Sequence, residues 1–130
     1  MLDTSALLTL FLGEEGEGQV IEVLESGEPL YLPFMALMEF EYMTERERGL
    51  ADLYEALRLI RAWPASLVES NQDWGRAAAR LKAKARLSLG DAWNASLALL
   101  LDAELVHKDP EFDEVTGLKS LRLPYKPKTR

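Results

Sequence analysis

Apolar residues along the chain follow two patterns, a helical spacing and short unbroken runs, and the two alternate. Residues 6–12 are apolar almost throughout and stop at Gly13, which predicts a short buried helix. Within residues 15–26, Val20, Val23 and Leu24 form one stripe, and Gly27 ends it. Residues 29–33 are an apolar run between two prolines and suit a buried strand. Residues 34–48 predict a long helix with Phe34, Leu37, Met38 and Tyr42 on one face, stopped by Gly49. Residues 51–62 predict another, with Leu53, Leu57 and Ile60 periodic, and residues 65–68 a short strand. Residues 72–86 are helical and basic, and residues 91–101 form an apolar helix. Strands follow at 104–107 and 118–123, with a turn of helix starting at Pro110 between them. The first residues begin apolar and turn polar, which suits a very short strand ending at Asp3, with Thr4 or Ser5 capping the next helix.

Short strands alternating with helices imply an α/β fold with a parallel sheet covered by helices. In such sheets the working site lies beyond the carboxyl ends of the strands. A chain of 130 residues fits one domain and can bury a core without disulfides or a structural metal.

Composition then narrows the chemistry. With no cysteine, thiol catalysis, zinc–thiolate sites and iron–sulfur clusters are excluded. The one histidine, His107, makes a Ser-His-Asp triad and His-based metal sites improbable. Any hard-cation site must come from Asp and Glu. The formal net charge is −7, which argues against broad binding to nucleic acid only if the charge is evenly spread. It is not: residues 1–65 hold 4 basic and 13 acidic side chains, and residues 66–130 hold 11 and 9. No apolar stretch approaches the ~20 residues of a membrane span. No basic segment precedes an apolar one at the N-terminus, so a cytoplasmic location is expected.

Four acids stand in apolar surroundings, where an isolated charge is costly to desolvate. Asp3 ends the first strand and Asp109 follows the strand ending near His107. Glu39 lies between Met38 and Phe40, and Asp91 opens an apolar helix. Each has a plain structural alternative. Asp3 could cap the first helix, Asp91 after Gly90 could be an N-cap, Glu39 beside Glu41 could be solvated, and Asp109 before Pro110 could form a turn. Taken together, they suit a Mg²⁺ or Mn²⁺ site, since such cations prefer carboxylate oxygens.

The segments Asp3-Thr4-Ser5-Ala6-Leu7-Leu8, Ala36-Leu37-Met38-Glu39-Phe40, Ser88-Leu89-Gly90-Asp91-Ala92 and Leu105-Val106-His107-Lys108-Asp109-Pro110-Glu111-Phe112 occur in that order. In order and spacing they resemble PIN-domain nucleases, and by size and motif the VapC-type toxins of toxin–antitoxin modules. The resemblance implies a three-layer α/β/α fold with a short-stranded central parallel sheet over residues 1–123; residues 124–130, basic and broken by prolines, read as a tail outside it. It implies a metal-dependent endoribonuclease with Asp3, Glu39, Asp91 and Asp109 as its acidic cluster. Asp3, Asp91 and Asp109 would hold one or two Mg²⁺ or Mn²⁺ ions, with Glu39 direct or through water. Ser5 matches a hydroxyl that supports the first acid. His107 stands where relatives often carry Thr or Ser, so that hydroxyl support is missing. His107 itself reads as a partly buried strand-end residue rather than a base. Glu111 stands where many carry Asp, and Asp113 is a possible substitute; both are ranked as peripheral. An antitoxin partner and a homodimer are also implied, with an apolar groove near residues 34–42 and 50–63 able to receive a partner helix.

Arg76, Arg80 and Lys84 are spaced four apart, on one helix stripe that could follow an RNA backbone or simply be a solvated face. Trp74 and Trp93 suit core packing better than base stacking. Rival readings are a catalytically silent interaction module on the same fold, a structure-specific DNA nuclease and a haloacid-dehalogenase-like phosphatase. The last needs a second Asp at position 5, which is Ser.

Overall fold

The computed structural model describes residues 1–125. The elements alternate as the apolar pattern predicts. Helix α1 (Thr4–Phe11) and α2 (Glu17–Glu25) precede β1 (Leu30–Pro33), α3 (Phe34–Arg48), α4 (Leu50–Arg61) and β2 (Ala65–Val68). Then come α5 (Gln72–Lys84), α6 (Leu89–Leu101), β3 (Glu104–His107), a 3₁₀ turn (Pro110–Glu114) and β4 (Lys119–Arg122).

Strands β1 and β2 pair in parallel, Leu30 opposite Ala65, and β3 and β4 likewise, Glu104 opposite Lys119. The expected first strand shrinks to one parallel bridge, Leu2 with Val106. Its backbone nevertheless joins the two pairs. Leu2 N donates to Tyr31 O (3.2 Å), Val106 N to Met1 O (2.9 Å) and Asp3 N to Val106 O (3.0 Å). A segment of three residues cannot extend further, because the chain turns into α1 at Thr4.

Alternation along the strands sends Leu30, Leu32 and Val106 to one core and Tyr31 and Leu105 to the other. The first core is closed by Leu7 of α1, Val20 of α2, Phe40 of α3 and Leu53 and Ile60 of α4. The second is closed by Trp74 of α5, Ala92, Ala95 and Leu97 of α6 and Phe112 of the 3₁₀ turn. The result is the three-layer α/β/α arrangement. Trp74 is 1% exposed. Its Nε1 donates to Trp93 O (2.8 Å) and Ser96 Oγ (3.1 Å). Its ring meets Phe34 and Trp93 edge-on. Both indoles thus serve packing, as expected.

Three local expectations are corrected. Asp3 caps α1, as its structural alternative had it, in place of Thr4 or Ser5, because its carboxylate accepts Ser5 N. Ser88, not Asp91, caps α6 and accepts Asp91 N, so Asp91 sits in the first turn. The buried face of α3 is Ala36, Phe40 and Thr44, while Met38 (52% exposed) and Tyr42 (44%) face outward. Helix α3 has more apolar residues than one face can hold, and the i, i+4 series through Phe40 is the one that meets α1. The tail expected at 124–130 lies, beyond Tyr125, outside the described residues. Among the described residues no helix is long and apolar enough to cross a membrane.

Candidate metal centre at the carboxyl end of the sheet

Asp3 is fixed where the central segment ends. It is 2% exposed, and both carboxylate oxygens are held. Oδ2 accepts Ser5 N (3.1 Å) and Ser5 Oγ (2.6 Å), and Oδ1 accepts Asn94 Nδ2 (2.8 Å). The Ser5 hydroxyl also accepts Lys108 N (3.0 Å), tying the Asp3 carboxylate to the loop after β3. Ser5 therefore supports the first acid, as the motif implies.

Glu39 projects from α3, half-buried, and its Oε1 accepts Thr4 Oγ1 (2.8 Å). Its carboxylate lies against Gly90, where a Cβ would fall 2.5 Å from Oε2. Glycine there is what lets α3 bring this acid up to the start of α6. Asp91 follows in the first turn of α6. Asp109 leaves the end of β3, and its Oδ1 accepts Glu111 N (2.9 Å) while its own N donates to His107 Nδ1 (3.1 Å).

Electrostatics mark these acids as one system. The Asp91 carboxyl is pushed up to about 8, chiefly by burial, then by the charges of Asp3 and Asp109, a hydrogen bond to Asp109 and the charge of Glu39. Glu39 is also raised, by burial first and by Asp3, against the opposing bond from Thr4. Burial lowers the His107 pKa, against smaller raising effects from Asp3, Asp113 and Asp109. The ion pairs among the described residues are Arg58–Glu55, Lys108–Glu14, Lys119–Asp102 and Arg122–Asp113. None brings a cation to Asp3, Glu39, Asp91 or Asp109.

Asp91, Asp109 and Glu111 each offer a carboxylate oxygen, all within 4.8 Å of one another. An all-oxygen donor set whose Asp91 carboxyl is raised, first by burial and then by its acidic neighbours, fits a hard divalent cation. The structure thus gathers Asp91 and Asp109 as expected and adds Glu111, which the sequence ranked as peripheral. Asp3 and Glu39 act on the same group through their charge. Asp113 instead pairs with Arg122 (2.9 Å).

Sequence reasoning missed Thr4, Gly90 and Asn94. A signal for Asn94 exists: past Asp91 it is one of two polar residues, with Ser96, on a helix that is apolar elsewhere. Arg76, Arg80 and Lys84 are all exposed on α5, the helix that packs on α6.

A PIN domain family model matches residues 1–118. No curated protein sequence matches the chain closely enough to count as a relative. Solved structures with a similar fold include VapBC2 of Rickettsia felis bound to a promoter DNA fragment. It has TM-score 0.80 and 15% identity, and the match covers 95% of this chain and 98% of that one. VapC20 of Mycobacterium tuberculosis, a sarcin–ricin loop cleaving toxin, has TM-score 0.77 and 17% identity, with 93% and 97% covered. VapBC-1 of nontypeable Haemophilus influenzae has TM-score 0.71 and 22% identity, with 94% and 96% covered.

Proposed function

The chain belongs to the PIN domain family, and from that premise we propose that it is a divalent-metal-dependent endoribonuclease, the toxin of a toxin–antitoxin module. The observation that carries the reading is the convergence of Asp91, Asp109 and Glu111, none of which forms an ion pair among the described residues. Asp3, Asp91 and Asp109, joined by Glu111, would hold Mg²⁺ or Mn²⁺. Such an ion supplies Lewis acidity to the scissile phosphate and to the attacking water.

The side chains have separable tasks. Asp91, with its carboxyl pushed up to about 8, would give up a proton when the site is filled. Glu39 is a stronger proton acceptor than an ordinary glutamate. Thr4 holds its Oε1, so Oε2 would be the oxygen to accept a proton from an attacking water. Ser5 and Asn94 fix Asp3. Arg76, Arg80 and Lys84 give the RNA backbone a track leading toward α6.

Structures with this fold include VapBC-1 and a toxin–antitoxin complex from Klebsiella pneumoniae, which supports an antitoxin partner. The exposed apolar side chains Met38, Tyr42, Leu50, Tyr54 and Leu59 on α3 and α4 offer a surface for a partner helix or for a second copy in a homodimer. A cytoplasmic location follows from an RNA substrate. The fold neighbour VapC20 cleaves the sarcin–ricin loop, so structured ribosomal RNA is the first substrate to try. Structured RNA incubated with Mn²⁺ should be cut, and EDTA should stop the reaction. Persistent cutting in EDTA, or equal cutting by Asp91→Asn, would refute the reading. A protein that binds Mn²⁺ without cutting RNA or DNA would be a silent interaction module, and one that cuts only branched DNA a structure-specific nuclease.

A further inference from the structure

We infer that His107 is a positioning residue for Asp109, acting through one acceptor atom, its Nδ1. The inference rests on the reading of Asp109 as a cation ligand. His107 ends β3 and is 0% exposed. Its Nδ1 accepts the Asp109 amide at 3.1 Å, and its carbonyl accepts Leu123 N at 2.7 Å, which locks the residue to the segment that follows β4. Its ring packs on Phe112 with centroids 4.6 Å apart.

An accepting Nδ1 puts the ring proton of the neutral imidazole on Nε2. Among the described residues that Nε2 has no partner, although it is buried. A leucine would fill the same apolar place without an orphaned donor. What leucine cannot do is accept the Asp109 amide, so the acceptor is the function that the imidazole adds.

Two consecutive amides of the loop after β3 are committed in this way: Lys108 N to Ser5 Oγ (3.0 Å) and Asp109 N to His107 Nδ1. The Asp109 carboxylate then accepts Glu111 N (2.9 Å). Together these bonds hold the Asp109 and Glu111 carboxylates in register with Asp91, and through Ser5 with Asp3. Preorganisation of a ligand by such an outer partner commonly governs metal affinity about 10- to 100-fold.

His107 is the chain's single histidine, so ¹⁵N-histidine labelling yields one imidazole to read. The metal-free wild type should show an unprotonated Nδ1 and a protonated Nε2, with a slowly exchanging Asp109 amide. His107→Leu keeps the apolar volume and should weaken Mn²⁺ binding about 10-fold or more, lowering kcat with little change in KM for RNA. His107→Asn returns an acceptor oxygen near the Nδ1 position and should recover most of the loss. A protonated Nδ1 in the wild type overturns the inference. So does a folded Leu variant that binds Mn²⁺ like the wild type, or an Asn variant no better than Leu. If Leu does not fold, the wild-type tautomer and the Asn variant decide. Protection of the Asp109 amide that Leu abolishes and Asn restores, in a protein that binds no Mn²⁺, retires the metal reading and leaves the positioning role standing.

Discussion

Asp91→Asn should make the metal-free protein more stable while destroying its site. The Asp91 carboxyl is raised from 3.8 to about 8 in the folded chain, by burial and by neighbouring acids. Between those values the folded state binds more protons than the unfolded state, so stability falls as pH rises and levels off above about 8. Each pKa unit is worth 1.36 kcal/mol, so the full shift sets a ceiling of about 5–6 kcal/mol. Asp91 is only partly buried, and solvent screening with relaxation of the cluster reduces this to about 2 kcal/mol. For a domain of this size that is roughly 6–8 °C in Tm. Asparagine keeps the shape of the neutral acid and never ionises. Thermal melts in EDTA at pH 5, 7 and 9 should show the variant's advantage growing with pH. Excess Mn²⁺ should then reverse the order, since occupancy at about 100 times Kd adds about 2.7 kcal/mol to the wild type alone. A pH-independent gap, or a variant less stable than the wild type at pH 9 in EDTA, refutes the reasoning.

Other outcomes follow from the same geometry. Gly90→Ala places a Cβ within 2.6 Å of the Glu39 carboxylate atoms. Because Glu39 can swing aside and alanine favours the helix, Tm should hold while RNA cleavage falls at least about 10-fold in an initial-rate assay. Asn94→Ala removes the donor to buried Asp3 Oδ1 and should cost about 1–3 kcal/mol in denaturant melts, with loss of cleavage. Replacing Arg76, Arg80 and Lys84 with Ala should leave the fold intact and reduce the slope of log affinity against log salt by about 2, given ~0.7 per phosphate contact on single strands.

How far the sequence reaches depends on whether a feature is local. Helix α3 is legible to the residue because Pro33 and Gly49 bound it, and β1 because prolines flank its apolar run. The buried face of α3 is not legible, since Met38 and Tyr42 look as apolar as Phe40 and only contact with α1 chooses between them. Cap assignments stay open where polar residues compete: Asp3, legible both as a cap and as a ligand, outdoes Thr4 and Ser5, and Ser88 outdoes Asp91. Asp3, Glu39, Asp91 and Asp109 are visible as acids in apolar company. Glu111 is not, because its reach depends on a 3₁₀ turn that folds it back toward Asp91. Thr4, Asn94 and the acceptor role of His107 depend on contacts between distant segments, or on the turn after β3, and no periodicity encodes them.

Whether these carboxylates form a cation site is read by calorimetric titration of the metal-stripped protein with Mn²⁺ near pH 7. Saturable binding is predicted, with proton release seen as a buffer-dependent enthalpy as Asp91 gives up its proton, and with both lost in Asp91→Asn. No saturable binding, or binding that Asp91→Asn leaves unchanged, would mean that these acids hold no cation.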